Sequence, residues 1–338
     1  VVINENMLSA KAPGKLILSG EHSVVYGAPA IAVAVNHYVT ATFSPSDTDT
    51  LIITSSVLGQ SRRTLVQLEH LVAHLDQRFE RFLLGELAVQ DVLQTPHDLL
   101  YYTALQSDSL PSGTVTIHSD IPTGAGMGSS AAVIAALLQL FQSSSCAQQR
   151  DDKKPEFFQK VKYCERLQHG RGSAIDAAAV TYGGVLKVQA DKVTPLPLEL
   201  GDGWYHFHTG TPCCSTGETV AAVRAKFSHR TDLWQQFAKI TQAFEANIKQ
   251  PSRLGSVMRA NHQLLQEIGV VPAPVSALIA QIESMGGAAK ICGAGAHQGE
   301  TAGQVLVYFP EQNSETLSAQ LGVCLTPLQQ QLNGAHRG

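Results

Sequence analysis

Three stretches of this chain combine residue types able to hold an anion, bind a cation and accept a proton. The clearest is Ile121-Pro-Thr-Gly-Ala-Gly-Met-Gly-Ser-Ser-Ala-Ala132. In Gly124-Ala125-Gly126-Met127-Gly128 the missing side chains let backbone N–H groups close on an anion. A helix beginning at Ser129 would aim its unpaired donors and positive dipole end at the same point. Neither the dinucleotide fingerprint nor a Walker A sequence fits, because no Gly-Lys-Ser/Thr follows. A tight strand-to-helix turn, with glycines kept for backbone geometry alone, is the plain alternative. Adjacent Ser129 and Ser130 favour the phosphate cradle, since one hydroxyl can cap the helix while the other ligates a magnesium ion on the same phosphates.

The second stretch is Glu165-Arg-Leu-Gln-His-Gly-Arg-Gly-Ser-Ala-Ile-Asp176. A carboxylate late in one helix and another beyond a glycine break could lie at opposite ends of one cavity, one holding a cation and the other attending a nucleophile. The same spacing also suits a helix-surface charge and a cap. The third stretch, Ala12-Pro-Gly-Lys-Leu-Ile-Leu-Ser-Gly-Glu-His-Ser-Val-Val-Tyr-Gly27, puts Lys15 at the start of an apolar strand. An ammonium there needs a carboxylate or phosphate to meet it, unless it snorkels from the strand end to water.

These side chains must be positioned by an alternating set of strands and helices. Lys15 to Ser19 and Ala30 to Val35 are short Ile/Val/Leu-rich runs separated by a polar loop, and so predict strand, loop, strand. Residues 64 to 84 place apolar side chains at helical spacing, and a second helix is expected before Pro96. Ser112 to His118 alternates as a strand. The glycine loop then feeds an apolar helix to about Gln142, a polar loop spans Ser143 to Lys154, and Pro155 opens a helix running to about His169. A short helix is expected around Asp176. Beyond Leu186, strands at Trp204 to His208 and Gln304 to Phe309 alternate with helices near Thr216 to Phe227, Thr231 to Lys249, Arg253 to Ile268 and Pro274 to Met285.

Composition narrows the classes. At 338 residues the chain exceeds what one core usually supports, which predicts one large mixed fold or two lobes sharing a cleft. A formal charge of −4, with no Lys/Arg run to track a phosphate backbone, argues against nucleic acid. The longest apolar runs, Ala28 to Val35 and Ala131 to Leu138, are too short to span a bilayer, so no membrane segment is expected. The start lacks the pattern of a signal peptide, and a cytoplasmic location is the expectation. Six cysteines without a C-x-x-C pair read as reduced thiols. His206 and His208 share one strand face, which reads as solvated rather than zinc-binding.

Taken together, the segments resemble the GHMP kinases. Lys11 to Gly27, Ile121 to Ala132 and Lys290-Ile-Cys-Gly293-Ala294-Gly295-Ala296 correspond in order to the family's three motifs, across nearly the whole chain. The resemblance implies an α+β GHMP kinase fold with two lobes of mixed and antiparallel sheet, helices, and a central active-site cleft. Residues 1–185 would carry the phosphate loop and catalytic centre, and 186–338 the substrate side. Gly20-Glu-His-Ser-Val-Val-Tyr-Gly27, with Glu165, His169-Gly170, Ser173 and Asp176, is most similar to the branch that phosphorylates mevalonate. That implies ATP-dependent phosphorylation of the mevalonate 5-hydroxyl in isoprenoid precursor synthesis. Another small-molecule kinase of the family, for phosphomevalonate or a sugar or alcohol, and a non-catalytic ligand sensor on the same fold are the alternatives.

Carried over residue by residue, the resemblance implies that Gly124, Ala125, Gly126, Met127, Gly128, Ser129 and Ser130 wrap the ATP phosphates, and that Ser130 and Glu165 supply Mg²⁺ ligands. Asp176 would face the attacking hydroxyl with Lys15 beside it. Glu21, His22, Thr216, Gly293, Ala294 and Gly295 would lie near the substrate. Partners would be mevalonate and ATP, and homodimers occur in the family. Two departures stand out: the third motif continues as Gly295-Ala-His-Gln-Gly299 rather than a run of glycines, and Cys213-Cys214 occupy a segment that often carries a basic residue.

Overall fold

The computed structural model describes residues 7–106, 112–122, 124–142, 152–170 and 174–338. The expected polar loop falls largely outside the described residues, as do Cys146 and Ser173. Two sheets organise the rest. The larger contains β1 (Leu8–Ser19), β2 (Ala30–Pro45), β3 (Thr50–Ser55), β4 (Gly59–Thr64), β5 (Gly113–Ser119), β6 (Val185–Gln189), β7 (Lys192–Leu196) and β12 (His336–Arg337). The smaller contains β8 (Trp204–His208), β9 (Ala288–Ile291), β10 (Gln304–Tyr308) and β11 (Thr326–Pro327).

The larger sheet runs β12-β1-β2-β5-β3-β4 and is antiparallel except where β3 pairs with β5. Its β2 is long enough to serve two neighbours, pairing through Ala30 to Val33 with β6 and through Val39 to Pro45 with β5. β6 continues antiparallel into β7, so residues 186–196, expected with the substrate side, belong to the larger sheet. The smaller sheet, β11-β8-β10-β9, is antiparallel throughout. This is the mixed α+β architecture that the sequence implies.

The helices are α1 (Leu65–Leu83), α2 (Pro96–Ala104), α3 (Ser129–Leu140), α4 (Lys154–His169), α5 (Ala174–Tyr182), α6 (Thr216–Phe227), α7 (Thr231–Asn247), α8 (Pro251–Glu267), α9 (Ala273–Ser284) and α10 (Ser314–Leu321). Helix α3 is apolar on nearly all sides, which suits it to the centre of the core rather than the surface. It packs on β1 and β2 with Ala131, Ile134, Ala135 and Leu138 buried. Around the smaller sheet a separate core gathers Phe207, Leu233, Phe237, Leu265, Ile279, Ile291 and Val305.

Several expectations needed revision. No α-helix precedes Pro96 after α1; a short 3₁₀ turn at Val89–Asp91 stands there, and α2 starts at Pro96 itself. Proline suits a helix's first position because its missing N–H would be unpaired there anyway, and the Asp98 carboxylate accepts from the Thr95 and Gln94 amides at 2.8 and 3.0 Å. The β3–β4 hairpin, β7 and α10 carry no clear signal in the sequence. His206 is buried rather than solvated, with Nδ1 3.2 Å from Gln304 Oε1, and burial lowers its pKa; His208 is exposed. Among the described residues no cluster of three or more His, Cys, Asp or Glu could hold a metal ion, and no helix is long and apolar enough to cross a membrane.

The last residues staple the two sheets. Thr326–Pro327 extend the smaller sheet, the Gln331 amide donates to Ala34 O at 2.8 Å, the Gly184 amide donates to Gln331 O at 2.7 Å, and His336–Arg337 pair with β1. Gly183 sits at φ +70°, and a Cβ on it would stand 2.4 Å from the Asn333 carbonyl carbon. Gly183→Ala is therefore expected to cost more than about 1 kcal/mol. Urea unfolding checks this, and amide exchange should rise selectively in residues 328–338.

Candidate active site

The site is built from the end of β1, the loop before α3, the facing helices α4 and α5, and the loop after β9. Lys15 lies within β1, opposite Ala34 of β2, where neighbouring residues are buried on both sides of the strand. Its side chain is almost wholly enclosed, and its ammonium has the partners that such a position requires. Nζ donates to the Gly126 carbonyl at 2.7 Å and stands 3.0 Å from Asp176 Oδ1. The Lys15 amide also donates to Met127 O at 2.9 Å. One residue thus ties the glycine loop to the sheet by backbone and to α5 by charge.

In the loop, Gly124, Gly126 and Gly128 all adopt φ between +71° and +73°, alternating with Ala125 and Met127, whose side chains are buried. Such alternation turns successive N–H groups toward one concave side, the geometry of an anion nest. The requirement for glycine is steric as well. A Cβ at Gly128 would stand 3.1 Å from Asp176 Oδ1 and 3.2 Å from Lys15 Cγ, so any side chain there would enter the ion pair. Gly128 precedes the first turn of α3 and has no side chain to cap it, which leaves the helix's first donors for a ligand.

Ser130 does not cap α3; its Oγ donates to Gln168 Oε1 of α4 at 2.8 Å. Glu165, one turn before Gln168, is 2 % exposed. A hydroxyl and a carboxylate are hard oxygen donors, the type that magnesium prefers. Gln168 was not singled out in the sequence, where it reads as one more polar residue on a helix.

The third loop faces the first. Cβ atoms built on Gly126 and Gly293 would lie 3.8 Å from Cys292 O and 3.9 Å from Gly126 O, so the two backbones approach without touching. Gly295 has no room for a side chain, because a Cβ would stand 2.3 Å from Val270 O. Two residues of the first motif hold this loop in place. His22 is buried, with Nε2 3.0 Å from Ala294 O. Burial pushes its pKa down to about 4, partly offset by the Ala294 bond, so at neutral pH the ring is uncharged and Nε2–H is the donor.

Glu21 forms an ion pair with Lys290 in which both side chains are fully buried, and Lys290 also donates to Ile17 O at 3.2 Å and Ile291 O at 2.9 Å. Lys290 opened the third segment in the sequence, but nothing in its spacing announced a carboxylate partner 269 positions away. Further links across the lobes join Ser19 Oγ to Thr241 Oγ1 at 2.9 Å and to Asn261 Oδ1 at 3.0 Å.

Thr216 is exposed in the first turn of α6 and has no described contact with the other candidate residues. Thr219, one turn on, is buried instead, with Oγ1 3.3 Å from His297 Nδ1 and 3.4 Å from Cys214 Sγ. The structure therefore joins Lys15, the 124–128 loop and Asp176, sets His22 on the 293–295 loop and Glu21 on Lys290 beside it, ties Ser130 to Gln168 one turn from Glu165, and leaves Thr216 exposed.

Comparison with known proteins follows the same lines. The GHMP kinases N terminal domain family matches residues 97–184. The chain is 32% identical to the mevalonate kinase of Archaeoglobus fulgidus, over 85% of this chain and 88% of that protein. It is 31% identical to the mevalonate kinase of Thermococcus sibiricus, over 92% and 91%. In fold it is similar to the Methanococcus jannaschii mevalonate kinase, with a TM-score of 0.76, 20% identity and coverage of 97% and 99%. It is also similar to Lactococcus lactis galactokinase, with a TM-score of 0.69, 16% identity and coverage of 98% and 95%.

The Glu21–Lys290 pair gives a direct test of how the lobes are held. Lys290→Met leaves a buried carboxylate uncompensated and should cost about 3 to 5 kcal/mol in urea unfolding. Adding Glu21→Gln should recover much of that loss; a double variant no more stable than the single one contradicts the pairing.

Proposed function

The chain belongs to the mevalonate kinases of the GHMP kinase family, and from that premise we propose that it transfers the γ-phosphoryl group of ATP to the 5-hydroxyl of mevalonate, releasing 5-phosphomevalonate and ADP. The observation that carries the reading is the meeting of Lys15 and Asp176 at the Gly124–Gly128 loop, an ammonium and a carboxylate 3.0 Å apart beside a nest of backbone donors.

Phosphoryl transfer asks a protein mainly to align two reactants and to stabilise charge on the group in flight. Residues 124–130 bind the ATP phosphates through backbone N–H groups and the start of α3. Ser130 and Glu165 would hold magnesium, which would supply positive charge to the phosphates; Ser130 Oγ gives its proton to Gln168 and so keeps its lone pairs for a cation. Lys15 uses two described contacts, to Gly126 O and Asp176, and keeps a third N–H for the transferring group. Asp176 accepts the hydroxyl proton as the oxygen attacks, and its bond to Lys15 fixes which carboxylate oxygen faces away. The loop at 293–295 closes the substrate side, held by His22 and by the Glu21–Lys290 pair.

An unphosphorylated alcohol suits the charge balance better than a phosphomonoester. Among the described residues the buried lysines are Lys15 and Lys290, each already matched by a carboxylate, so neither is left to neutralise a second phosphate.

The experiment is ADP release with ATP, Mg²⁺ and a panel of mevalonate, phosphomevalonate, homoserine and galactose. Mevalonate should be turned over in preference to the others, and Asp176→Asn should slow that turnover by ~10² or more while ATP binding persists. Equal rates in variant and wild type would remove Asp176 from the mechanism. Glu165→Gln should shift the Mg²⁺ titration of turnover to higher concentration; an unmoved titration contradicts its place as a ligand.

A further inference from the structure

Cys213 and Cys214 lie where the 209–214 segment is zipped against residues 297–303. Thr209 N and Oγ1 both donate to Gly303 O at 2.9 Å, the Gly303 amide donates to Gly210 O at 3.2 Å, and Thr301 Oγ1 donates to Thr211 O at 2.9 Å. At the open end of this zip the two sulfurs rest on the His297-Gln298-Gly299 segment. Cys213 Sγ donates to Gln298 O at 3.4 Å, and a Cβ on Gly299 would come within 2.7 Å of that sulfur, so glycine there makes room for the thiol. Cys214 Sγ stands 3.4 Å from Thr219 Oγ1, which also meets His297.

The buried thiols elsewhere in the chain differ in kind. Burial pushes Cys164 up to about 12 and Cys292 up to about 11, which keeps both protonated and inert. For Cys214 burial is the largest single influence and is also upward, but hydrogen bonds from Thr219, from the backbone of His297 and Gln298, and from Cys213 together outweigh it and lower the pKa. Cys214 also directly precedes Ser215, the cap of α6, so the positive end of that helix favours a thiolate. Cys213 is exposed and Cys214 half-buried, so a small reagent reaches the pair from solvent.

We propose that Cys213 and Cys214 form a peroxide-reactive dithiol whose oxidation repositions the 297–299 segment. The Cys214 thiolate attacks hydrogen peroxide; an S–O bond forms, the O–O bond breaks and hydroxide leaves, giving a sulfenic acid. The Cys213 thiol then attacks that sulfur; an S–S bond forms, the S–O bond breaks and water departs. Overall two thiols lose two electrons and two protons while one peroxide becomes two waters. The disulfide must turn Cys213 Sγ away from Gln298 O and Gly299, which removes the contact it makes with the loop. Adjacent Cα atoms are about 3.8 Å apart, below the roughly 4.4 Å at which disulfides are usually unstrained, so a dithiol reductant reverses the bond readily. The effect on turnover rests on the proposed function of the neighbouring 293–295 loop; the thiol chemistry does not.

The test uses the full chain. At pH 7 iodoacetamide should alkylate Cys214 ~10-fold faster than the exposed Cys324. Hydrogen peroxide should remove the mass of two hydrogens from the peptide holding residues 213 and 214, with a several-fold loss of mevalonate-dependent ADP release that dithiothreitol restores. Cys213→Ser should turn over as untreated wild type does and show neither the mass loss nor a dithiothreitol-reversible inhibition. Equal alkylation of Cys214 and Cys324, oxidation past sulfenic acid without loss of two hydrogens, or a disulfide that leaves turnover unchanged would each overturn the proposal. If the untreated enzyme releases no ADP with mevalonate, the proposed function fails, while the alkylation rates and peptide masses still decide the dithiol.

Discussion

The buried ammonium of Lys15 is the constraint around which the candidate site is arranged. A charge so enclosed needs partners, and the chain supplies them from two distant places, the Gly126 carbonyl and the Asp176 carboxylate. Because those partners lie on the anion loop and on α5, satisfying one cation also sets the distance between the phosphate cradle and the carboxylate. The glycines follow from this. Gly128 must lack a side chain because the ion pair occupies the space that one would fill, and Gly14 packs so closely that a Cβ would lie 3.2 Å from Met127 O.

A second buried cation repeats the principle across the lobes. Lys290, at zero exposure, pairs with Glu21 from the turn after β1 and bonds to the Ile17 carbonyl inside β1. The same strand therefore carries one buried cation and receives the other. Ser19, between them, bonds to α7 and α8. Replacing such polar links by apolar groups can leave stability unchanged, so their value here lies in orientation: each has few geometries that satisfy all partners, whereas apolar packing tolerates many.

What was legible in the sequence was whatever local chemistry dictates. The Gly124–Gly128 loop, the periodic α1 and the apolar α3 each follow from glycine content or periodicity, and each lies where expected. Strand β4, Gly-Gln-Ser-Arg-Arg-Thr, has no apolar alternation because its pairing with β3 is satisfied through backbone on a solvated edge. A helix expected before Pro96 instead begins at it, because proline ends a helix from inside but suits its first position. The resemblance points to Thr216, whereas the buried hydroxyl is that of Thr219, because the inward face of the helix appears only once α6 is docked. The pairing of Glu21 with Lys290 has no local signature at all, since it exists only when the sheets meet.

Loops rich in glycine approach phosphates closely but lose more freedom on ordering than any other backbone, so they cannot be rigid by themselves. Rigidity must be imported. For the 124–128 loop it comes from Lys15 through both its amide and its ammonium. For the 293–295 loop it comes from His22 at Ala294 O and from the Val270 carbonyl, which accepts the Ala296 amide at 2.9 Å. A histidine charged at working pH would retain that donor but would carry an unpaired charge into the core, so the burial that holds His22 neutral also makes it a stable strut. The local sequence thus shapes two pliant loops, and the distant contacts of the first strand and its following turn turn them into one fixed cavity.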